Sequence, residues 1–253
     1  MPLIIDHLTK VFPNGVRALD DVSLEVKDGE FVSIVGLSGA GKSTLLRCIN
    51  RLVEPSSGRI VLDGVDITAA RPAELRTVRR RIGMIFQQFN LVKRSSVLTN
   101  VLAGGLGAVS SWQSLVGRFP GEDYQRAFAA LERVGIPEKA YQRADTLSGG
   151  QQQRVGIARA LMQEPRIILA DEPVASLDPA TSHSVMKYLE QVNKEDGIIV
   201  LCNLHFLSLA RRYSTRVLAL KDGKLVFDGL PHEITPQRFR EIYGEDAMEV
   251  EVA

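Results

Sequence analysis

Several side chains suited to phosphate chemistry follow apolar stretches of this sequence. The first group is Gly36-Leu37-Ser38-Gly39-Ala40-Gly41-Lys42-Ser43-Thr44, which lies between the run 30–35 and Leu45-Leu46. The pattern G-x-x-x-x-G-K-[ST] between a strand and a helix is a P-loop. Its glycines let backbone N–H groups face phosphate oxygens, and the following helix adds its positive end. Lys42 is suited to the β- and γ-phosphates, and the Ser43 hydroxyl to Mg²⁺.

Two carboxylates, Asp171 and Glu172, follow the apolar stretch 167–170. A buried strand would present both at its carboxyl end, where parallel sheets bind ligands. Asp171 is suited to hold Mg²⁺ through its water shell, and Glu172 to orient or deprotonate a water that attacks the γ-phosphate. Gln87 and His205 come after two further strands; Gln87 could reach the metal and the water, and His205 the γ-phosphate. A pair of acids that only caps a turn is the alternative, which the P-loop disfavours.

A second stretch suited to phosphate binding is Ser148-Gly149-Gly150-Gln151. Its S-x-x-Q spacing is that of a capping box, which predicts Ser148 as a helix N-cap. A hydroxyl, two small residues and a bare helix N-terminus would bind phosphate. One domain has no evident need for two such surfaces. We therefore predict a head-to-tail pair of chains, in which each Ser148 helix closes over the nucleotide on its partner's P-loop.

The elements that position these residues alternate between strand and helix, which predicts a parallel α/β core. Before the P-loop, residues 3–5 and 22–26 read as strands, and 59–64 as a strand and turn after it, so the N-terminal part contains antiparallel sheet. Residues 95 to 163 read as mostly helical. Asp222-Gly223 between two apolar runs predicts a hairpin.

The composition of the chain narrows the class of protein that it can be. The chain has 253 residues, 45% of them hydrophobic and 24% charged, with a net charge of +1. A net charge this small produces no strong electrostatic attraction for nucleic acid or anionic lipid. No apolar run is close to the length of a membrane-spanning helix. Cys48 and Cys202 lie in apolar runs and are predicted to be buried thiols of a reducing cytoplasm. The arginines between 71 and 81 suit either a nucleic-acid patch or a solvated helix face; the lack of interleaved aromatic residues favours the helix face.

Together these motifs resemble those of the ATP-binding subunit of ATP-binding-cassette (ABC) transporters. The matching stretches, in the family's order, are Walker A (36–44), the Q-loop (Gln87), the signature (147–151), Walker B (167–171) with the catalytic Glu172, the D-loop (176–178) and the H-loop (His205). The resemblance implies that Phe12 stacks on adenine and that Asp178 lies among the nucleotide-binding residues.

The same resemblance implies an α/β P-loop NTPase (ABC ATPase) fold with a RecA-like parallel-sheet core, an N-terminal antiparallel β subdomain and an inserted α-helical subdomain. It implies ATP and Mg²⁺ as cofactors and a homodimer. We delimit one ABC ATPase domain over 1–253. Its nucleotide-binding core spans 1–94 and 164–230, its helical signature subdomain 95–163 and its C-terminal tail 231–253.

Finer features are similar to phosphonate importer ATPases. They are the stretches 85–92, 96–102 and 170–179, the segment from Leu106 through Trp112 and Leu115 to Phe119, Phe227-Asp228-Gly229, and the tail 238–243. Asn203 departs from many relatives, which have Ser or Thr there, and we expect no loss of function from it.

This finer resemblance implies a peripheral subunit on the cytoplasmic face of the cell (inner) membrane that energises uptake of phosphonate, or of phosphite or phosphate. Its partners would be integral membrane permease subunits, received in a groove near 87–94, and indirectly an extracytoplasmic substrate-binding protein, with no nucleic acid. The alternatives are a polar amino-acid importer, a lipoprotein- or macrolide-type exporter, and a soluble ABC ATPase acting on nucleic acid or ribosomes.

Overall fold

A computed structural model of the chain describes residues 2–108 and 119–245. Within these residues ten strands form a four-stranded and a six-stranded sheet. The strands are β1 (Leu3–Val11), β2 (Arg17–Val26), β3 (Phe31–Val35), β4 (Ser57–Leu62), β5 (Val65–Asp66), β6 (Ile82–Ile85), β7 (Ile167–Asp171), β8 (Ile199–Asn203), β9 (Arg216–Lys221) and β10 (Lys224–Gly229).

Helices of this described part cover both faces of the larger sheet. They are α1 (Lys42–Ile49), α2 (Pro72–Arg79), α3 (Val97–Leu102), α4 (Gly121–Arg133), α5 (Gly149–Leu161), α6 (Pro179–Asp196), α7 (Leu207–Tyr213) and α8 (Pro236–Tyr243), with short 3₁₀ helices at Ala103–Gly107, Pro137–Lys139, Ala144–Thr146 and Pro231–Glu233. No described helix is both long enough and apolar enough to cross a membrane.

The larger sheet has the order β10-β9-β3-β8-β7-β6. Strands β9, β3, β8, β7 and β6 are parallel, and β10 pairs antiparallel with β9. The predicted parallel α/β core is therefore confirmed. Asp222 and Gly223 join β9 to β10 with φ of 51° and 77°, the left-handed pair that a tight hairpin turn requires. Because β3, β8 and β7 are neighbours, the ends of these three strands meet at one edge of the sheet.

The smaller sheet is antiparallel with the order β2-β1-β4-β5, which confirms the predicted N-terminal β part. Alternate residues of its strands are buried, among them Leu3 and Ile5 of β1 and Leu24 and Val26 of β2. These side chains share one apolar core with α1 and with one face of the larger sheet. The buried face fixes α1, and with it the P-loop, against the ends of the central strands.

The opposite face of the larger sheet carries the helical block. Residues of α3, α4 and α5 share one core with β6, β7 and β8, so the block is packed directly on the sheet. A Cβ on Gly83 of β6 would lie 3.2 Å from the Ala160 Cβ of α5. The boundaries of our domain division stay a prediction. Trp112 and Leu115, which contribute to the finer resemblance, lie outside the described residues.

The arginines between 71 and 81 flank or lie on α2. Arg79 donates to the carbonyls of Asn50 (3.1 Å) and Arg51 (2.8 Å), and Arg81 lies 3.5 Å from the Asp63 carboxylate. These contacts tie α2 to the rest of the chain and favour the helix-face interpretation. Cys48 and Cys202 are buried free thiols, as predicted. Burial raises the pKa of Cys48 to about 12, so the thiol is protonated and unreactive at neutral pH.

Candidate functional site

The P-loop connects β3 to α1 through two glycines that no other residue could replace without backbone movement. Gly36 has φ of +136°, and a Cβ there would lie 2.1 Å from the Leu220 carbonyl oxygen. Gly41 has φ of +104°, and its Cβ would lie 2.3 Å from the Ala18 carbonyl oxygen. Gly41 is also the N-cap of α1, and no side chain of the described residues caps this helix. The first N–H groups of α1 are thus left for an anionic ligand.

Lys42 lies over this loop with only 4% of its surface exposed. Its Nζ donates to the carbonyl oxygens of Gly36 (2.7 Å) and Leu37 (2.9 Å), which uses two of its three N–H groups. Burial lowers the pKa of Lys42, while the nearby carboxylates Glu172 and Asp171 raise it by a smaller amount. The Lys42 ammonium is therefore fixed by two hydrogen bonds and poorly hydrated, and its third N–H group is available to an anion.

A cavity of about 170 Å³ opens beside Lys42. Its lining combines most of the predicted P-loop residues with one predicted catalytic acid: Ser38, Gly39, Gly41, Lys42, Ser43, Thr44 and Glu172. Ala40 is buried below it and donates its N–H to the Leu37 carbonyl oxygen at 3.1 Å. The fold thus brings residues 38–44 and Glu172, which lie far apart in sequence, to one small concavity.

Asp171, 4% exposed, accepts three hydrogen bonds at the end of β7. Its Oδ1 accepts from the Ser43 hydroxyl (2.7 Å) and from Asn203 Nδ2 (2.8 Å), and its Oδ2 accepts from an Arg47 guanidinium nitrogen (3.2 Å). The two residues predicted to bind the metal, Ser43 and Asp171, are therefore in direct contact. Sequence reasoning missed Arg47 and gave Asn203 no role. The helix α1 brings Arg47 to Asp171, and the neighbouring strand β8 brings Asn203 there.

Glu172 follows β7 in a left-handed conformation with φ of 53°. This region disfavours a side chain with a Cβ, and such strain is concentrated at functional sites. The turn places the carboxylate in the P-loop cavity, where Oε1 lies 2.8 Å from His205 Nε2. A carboxylate can only accept, so Nε2 carries the proton and the imidazole orients the acid. His205, predicted to meet the γ-phosphate, thus contacts Glu172 in this structure.

The predicted capping box at Ser148 is present. Ser148 Oγ accepts from the Gln151 N–H (3.3 Å), and Gln151 Oε1 accepts from the Ser148 N–H (3.0 Å). The expectation of a bare helix N-terminus was therefore wrong in part, because the chain's own side chains satisfy two of the donors. The N–H groups of Gly149 and Gly150 precede the capped one. Ser148 is solvent-exposed and does not line the P-loop cavity, and its contact with a partner's nucleotide stays a prediction.

Gly150 lies where α5 crosses the start of α6. A Cβ on Gly150 would approach the Thr181 Cγ2 to 2.2 Å, so the side chain must be absent for the two helices to pack. We predict that Gly150→Ala lowers the free energy of unfolding by about 1–3 kcal/mol in urea titrations. The companion change Thr181→Ser removes Cγ2 and should recover most of that loss.

Gly156, on the same helix, has open space around its Cβ position. Gly156→Ala is therefore the matched control, and it should be neutral or stabilising because alanine favours helix. An equal loss of stability in both variants would refute the contact with Thr181 as the cause.

Three other predicted residues lie away from the P-loop cavity. Phe12 is in the turn between β1 and β2, 5.1 Å from Lys10 Nζ measured to its ring centre. Asp178 is the N-cap of α6, and the hydrogen bonds from Thr181 lower the pKa of its carboxyl group. Gln87 is exposed and lines a separate groove of about 610 Å³. The nucleotide and metal contacts of these residues stay predictions.

The loop that forms this groove is fixed by a residue that sequence reasoning missed. Phe89 and Asn90 have φ of 52° and 50°, and Arg159 of α5 donates to their carbonyl oxygens at 2.9 and 2.6 Å. Burial lowers the pKa of Arg159. The helix that begins at Ser148 is thus connected to the loop that follows Gln87.

Comparison with known proteins agrees with this geometry. The ABC transporter family model matches residues 19–175. The chain is 59% identical over 251 residues to "Phosphonates import ATP-binding protein PhnC" of Bdellovibrio bacteriovorus, covering 98% of this chain and 96% of that protein. The protein of the same name from Bacillus thuringiensis is 56% identical over 246 residues, covering 97% and 96%.

Solved structures are similar over almost the whole chain. The dimeric structure of MJ0796, a bacterial ABC transporter cassette, has a TM-score of 0.80 and 37% identity, covering 90% of this chain and 98% of that one. CbiO1 of Clostridium perfringens, part of the ABC transporter complex cbiONQ, has a TM-score of 0.80 and 32% identity, covering 92% and 89%.

Proposed function

The chain belongs to the ABC transporter family as an ATP-binding subunit, and from this we propose that its ATP hydrolysis energises uptake of a phosphonate across the cytoplasmic membrane. The observation that carries the substrate is the similarity, over nearly all of both chains, to two phosphonates import ATP-binding proteins. The observation that carries the chemistry is the cavity that unites the P-loop with Glu172.

Phosphates would bind at the uncapped N-terminus of α1, with Lys42 supplying its remaining N–H to the β- and γ-phosphates. Mg²⁺ fits the oxygen donors beside this cavity, a hydroxyl and a carboxylate 2.7 Å apart at Ser43 and Asp171. The described residues contain no group of three or more acidic, His or Cys side chains that could hold a metal alone, so phosphate oxygens and water would complete its shell. Bound there, the ion supplies charge neutralisation of the phosphates.

Glu172 would orient and deprotonate the attacking water. Its Oε1 is held by His205 at 2.8 Å, which leaves the second carboxylate oxygen for that water. Before nucleotide binds, this contact would keep the carboxylate in the cavity. Once nucleotide is bound, His205 would donate to a γ-phosphate oxygen instead and release Glu172 to the water. Gln87 would reach the metal and the water from its groove when the two chains close on ATP.

The complete site would need a second copy of the chain. MJ0796, 37% identical, is a dimer in its solved structures, one of which binds ADP and phosphate. In this chain Ser148 is exposed at the start of α5, with the N–H groups of Gly149 and Gly150 behind it. We expect these groups to meet the γ-phosphate on the partner's P-loop, so that ATP joins two chains and hydrolysis separates them.

Ser148→Arg tests this arrangement. The long cation would block close approach of the partner's nucleotide face, while the chain's own P-loop is untouched. We predict unchanged single-site ATP affinity but no ATP-induced dimer in size-exclusion chromatography with light scattering. Thr235→Arg is the matched control, because it likewise removes an exposed N-cap, that of α8, and should still dimerise. Dimerisation of Ser148→Arg on ATP would contradict the two-chain site.

The 610 Å³ groove is the surface we assign to the permease. It is lined by Gln87, Gln88, Phe89, Asn90, Leu91, Lys93, Gln152 and Ser176. A cytoplasmic helix of a membrane subunit would enter it, and Arg159 would transmit that contact from the groove loop to α5. Coupling requires that the permease favours different states in the open and the ATP-closed dimer. The subunit would thus be peripheral, on the cytoplasmic face.

Purification in detergent tests the function. The chain should co-purify with a polytopic membrane protein, and the binding protein encoded beside it should prefer phosphonate over phosphite, phosphate and polar amino acids. If the binding protein preferred an amino acid, the proposed substrate would be wrong, but the proposal of an importer would stand. Co-purification with ribosomes or nucleic acid instead would overturn transport altogether.

A further inference from the structure

Asn203 is a buried polar residue at the end of an apolar strand. The rest of β8 is Ile199, Val200, Leu201 and Cys202, and Asn203 itself has 0% of its surface exposed. The parallel register pairs it directly with Asp171 of β7, so both side chains lie on the same face of the sheet. Its Nδ2 donates to Asp171 Oδ1 at 2.8 Å.

Only half of this amide has a partner. The Asn203 Oδ1 is buried and has no hydrogen-bond partner among the described residues. A buried acceptor without a partner opposes folding, and a leucine, which has the same number of side-chain heavy atoms, would avoid that cost. The unpaired oxygen is therefore a cost that, in the part of the chain that the structure describes, only the contact of the NH₂ group with Asp171 offsets. The side chain's NH₂ group and its contact with Asp171 are what an apolar residue could not supply.

The surroundings of Asp171 show what this contact does. The same Oδ1 accepts from Ser43 at 2.7 Å, whereas Oδ2 faces the Arg47 guanidinium at 3.2 Å. The Arg47 side chain is half exposed and competes electrostatically for the carboxylate. Without Asn203, the carboxylate could turn toward Arg47 and leave Ser43. Asn203 is the donor that comes from the rigid sheet, whereas Ser43 and Arg47 belong to α1.

We propose that Asn203 is a positioning residue, which holds the Asp171 carboxylate against Ser43 so that the pair can take the Mg²⁺ that accompanies ATP. This inference rests on the proposed ATPase function. Residues that orient metal-binding side chains typically alter metal affinity by about 10- to 100-fold when they are changed. The effect should fall on metal dependence and leave the metal-independent part of nucleotide binding unchanged.

The test is Asn203→Leu, with binding of the non-hydrolysable analogue AMP-PNP measured by calorimetry across a Mg²⁺ titration. The Mg²⁺ concentration for half-maximal binding should rise about 10-fold or more, with AMP-PNP affinity in EDTA unchanged within about twofold. Steady-state ATPase assays should show the same shift in the Mg²⁺ requirement. Asn203→Ala, which adds no bulk, is tested identically should the leucine variant not fold.

Asn193→Leu is the matched control. Asn193 is also buried, and its Nδ2 donates to the carbonyls of Gly29 (3.0 Å) and Ile198 (2.7 Å) at the other end of β8. It should lose stability and keep the wild-type Mg²⁺ dependence. An unchanged Mg²⁺ requirement in folded Asn203 variants would overturn the inference. Failure of the wild-type chain to bind AMP-PNP would instead overturn the proposed function.

Discussion

Glu172→Gln should retain ATP but lose at least about 100-fold in kcat, within the 100- to 10,000-fold range of general bases. Glutamine keeps the shape of the side chain and its contact with His205, yet cannot accept the proton of the attacking water. Because ATP would then persist in both sites, the variant should accumulate as an ATP-bound dimer. Phosphate release and light scattering measure the two effects separately.

Glu164→Gln is the control for this change. Glu164 shares the left-handed backbone of Glu172, with φ of 50°, but is exposed and pairs with Arg126 far from the P-loop cavity. Its replacement should leave turnover at the wild-type level. Undiminished turnover in Glu172→Gln would remove Glu172 from the catalytic role and leave the strained turn after β7 without an explanation.

The second large effect is expected for Lys42. Lys42→Ala removes the one ammonium that faces the cavity from the P-loop, and should lower kcat/KM about 100- to 1,000-fold, as loss of a preorganised transition-state donor does. The free energy of unfolding should not fall in parallel with this loss of activity. Because burial lowers the pKa of Lys42 below 10.5 in the folded chain, folding opposes the charged form at neutral pH. Removal of the Lys42 charge therefore removes the free-energy cost of burying an ammonium group.

The pH dependence makes this measurable. Wild-type stability should rise as pH increases from the lowered folded-state pKa toward 10.5, because the unfolded chain binds the proton more tightly there. Lys42→Met, which keeps the bulk, should lack that rise. Lys224→Met, at an exposed lysine, should keep it and should hydrolyse ATP normally. Wild-type kinetics in Lys42→Ala would end the P-loop assignment.

The sequence predicted the fold and the members of the site because both depend on local pattern. Residues 36–44 follow one apolar strand and Asp171 and Glu172 another, and parallel strands present such residues at one edge. Ser148 and Gln151 similarly form their predicted capping box within one turn of helix. Each of these inferences needs only a few neighbouring residues.

What the sequence did not reveal depends on the order of strands. The contacts of Asp171 with Asn203 and of Glu172 with His205 exist because β8 lies beside β7. Arg47 reaches Asp171 because α1 packs against β7. Nothing in the local pattern around Asn203 distinguishes it from a residue that ends an apolar strand. The packing role of Gly150 was also hidden, because Thr181 lies on another helix; its small size suited phosphate binding equally well.

The most direct test of the account is uptake of a radiolabelled phosphonate into proteoliposomes that contain the permease and this chain, with ATP enclosed on the side of the chain and the binding protein outside. We predict uptake that requires ATP and Mg²⁺ and that stops when Glu172→Gln replaces the wild-type chain. Uptake that continues with Glu172→Gln, or a wild-type complex that hydrolyses ATP without moving phosphonate, would contradict it.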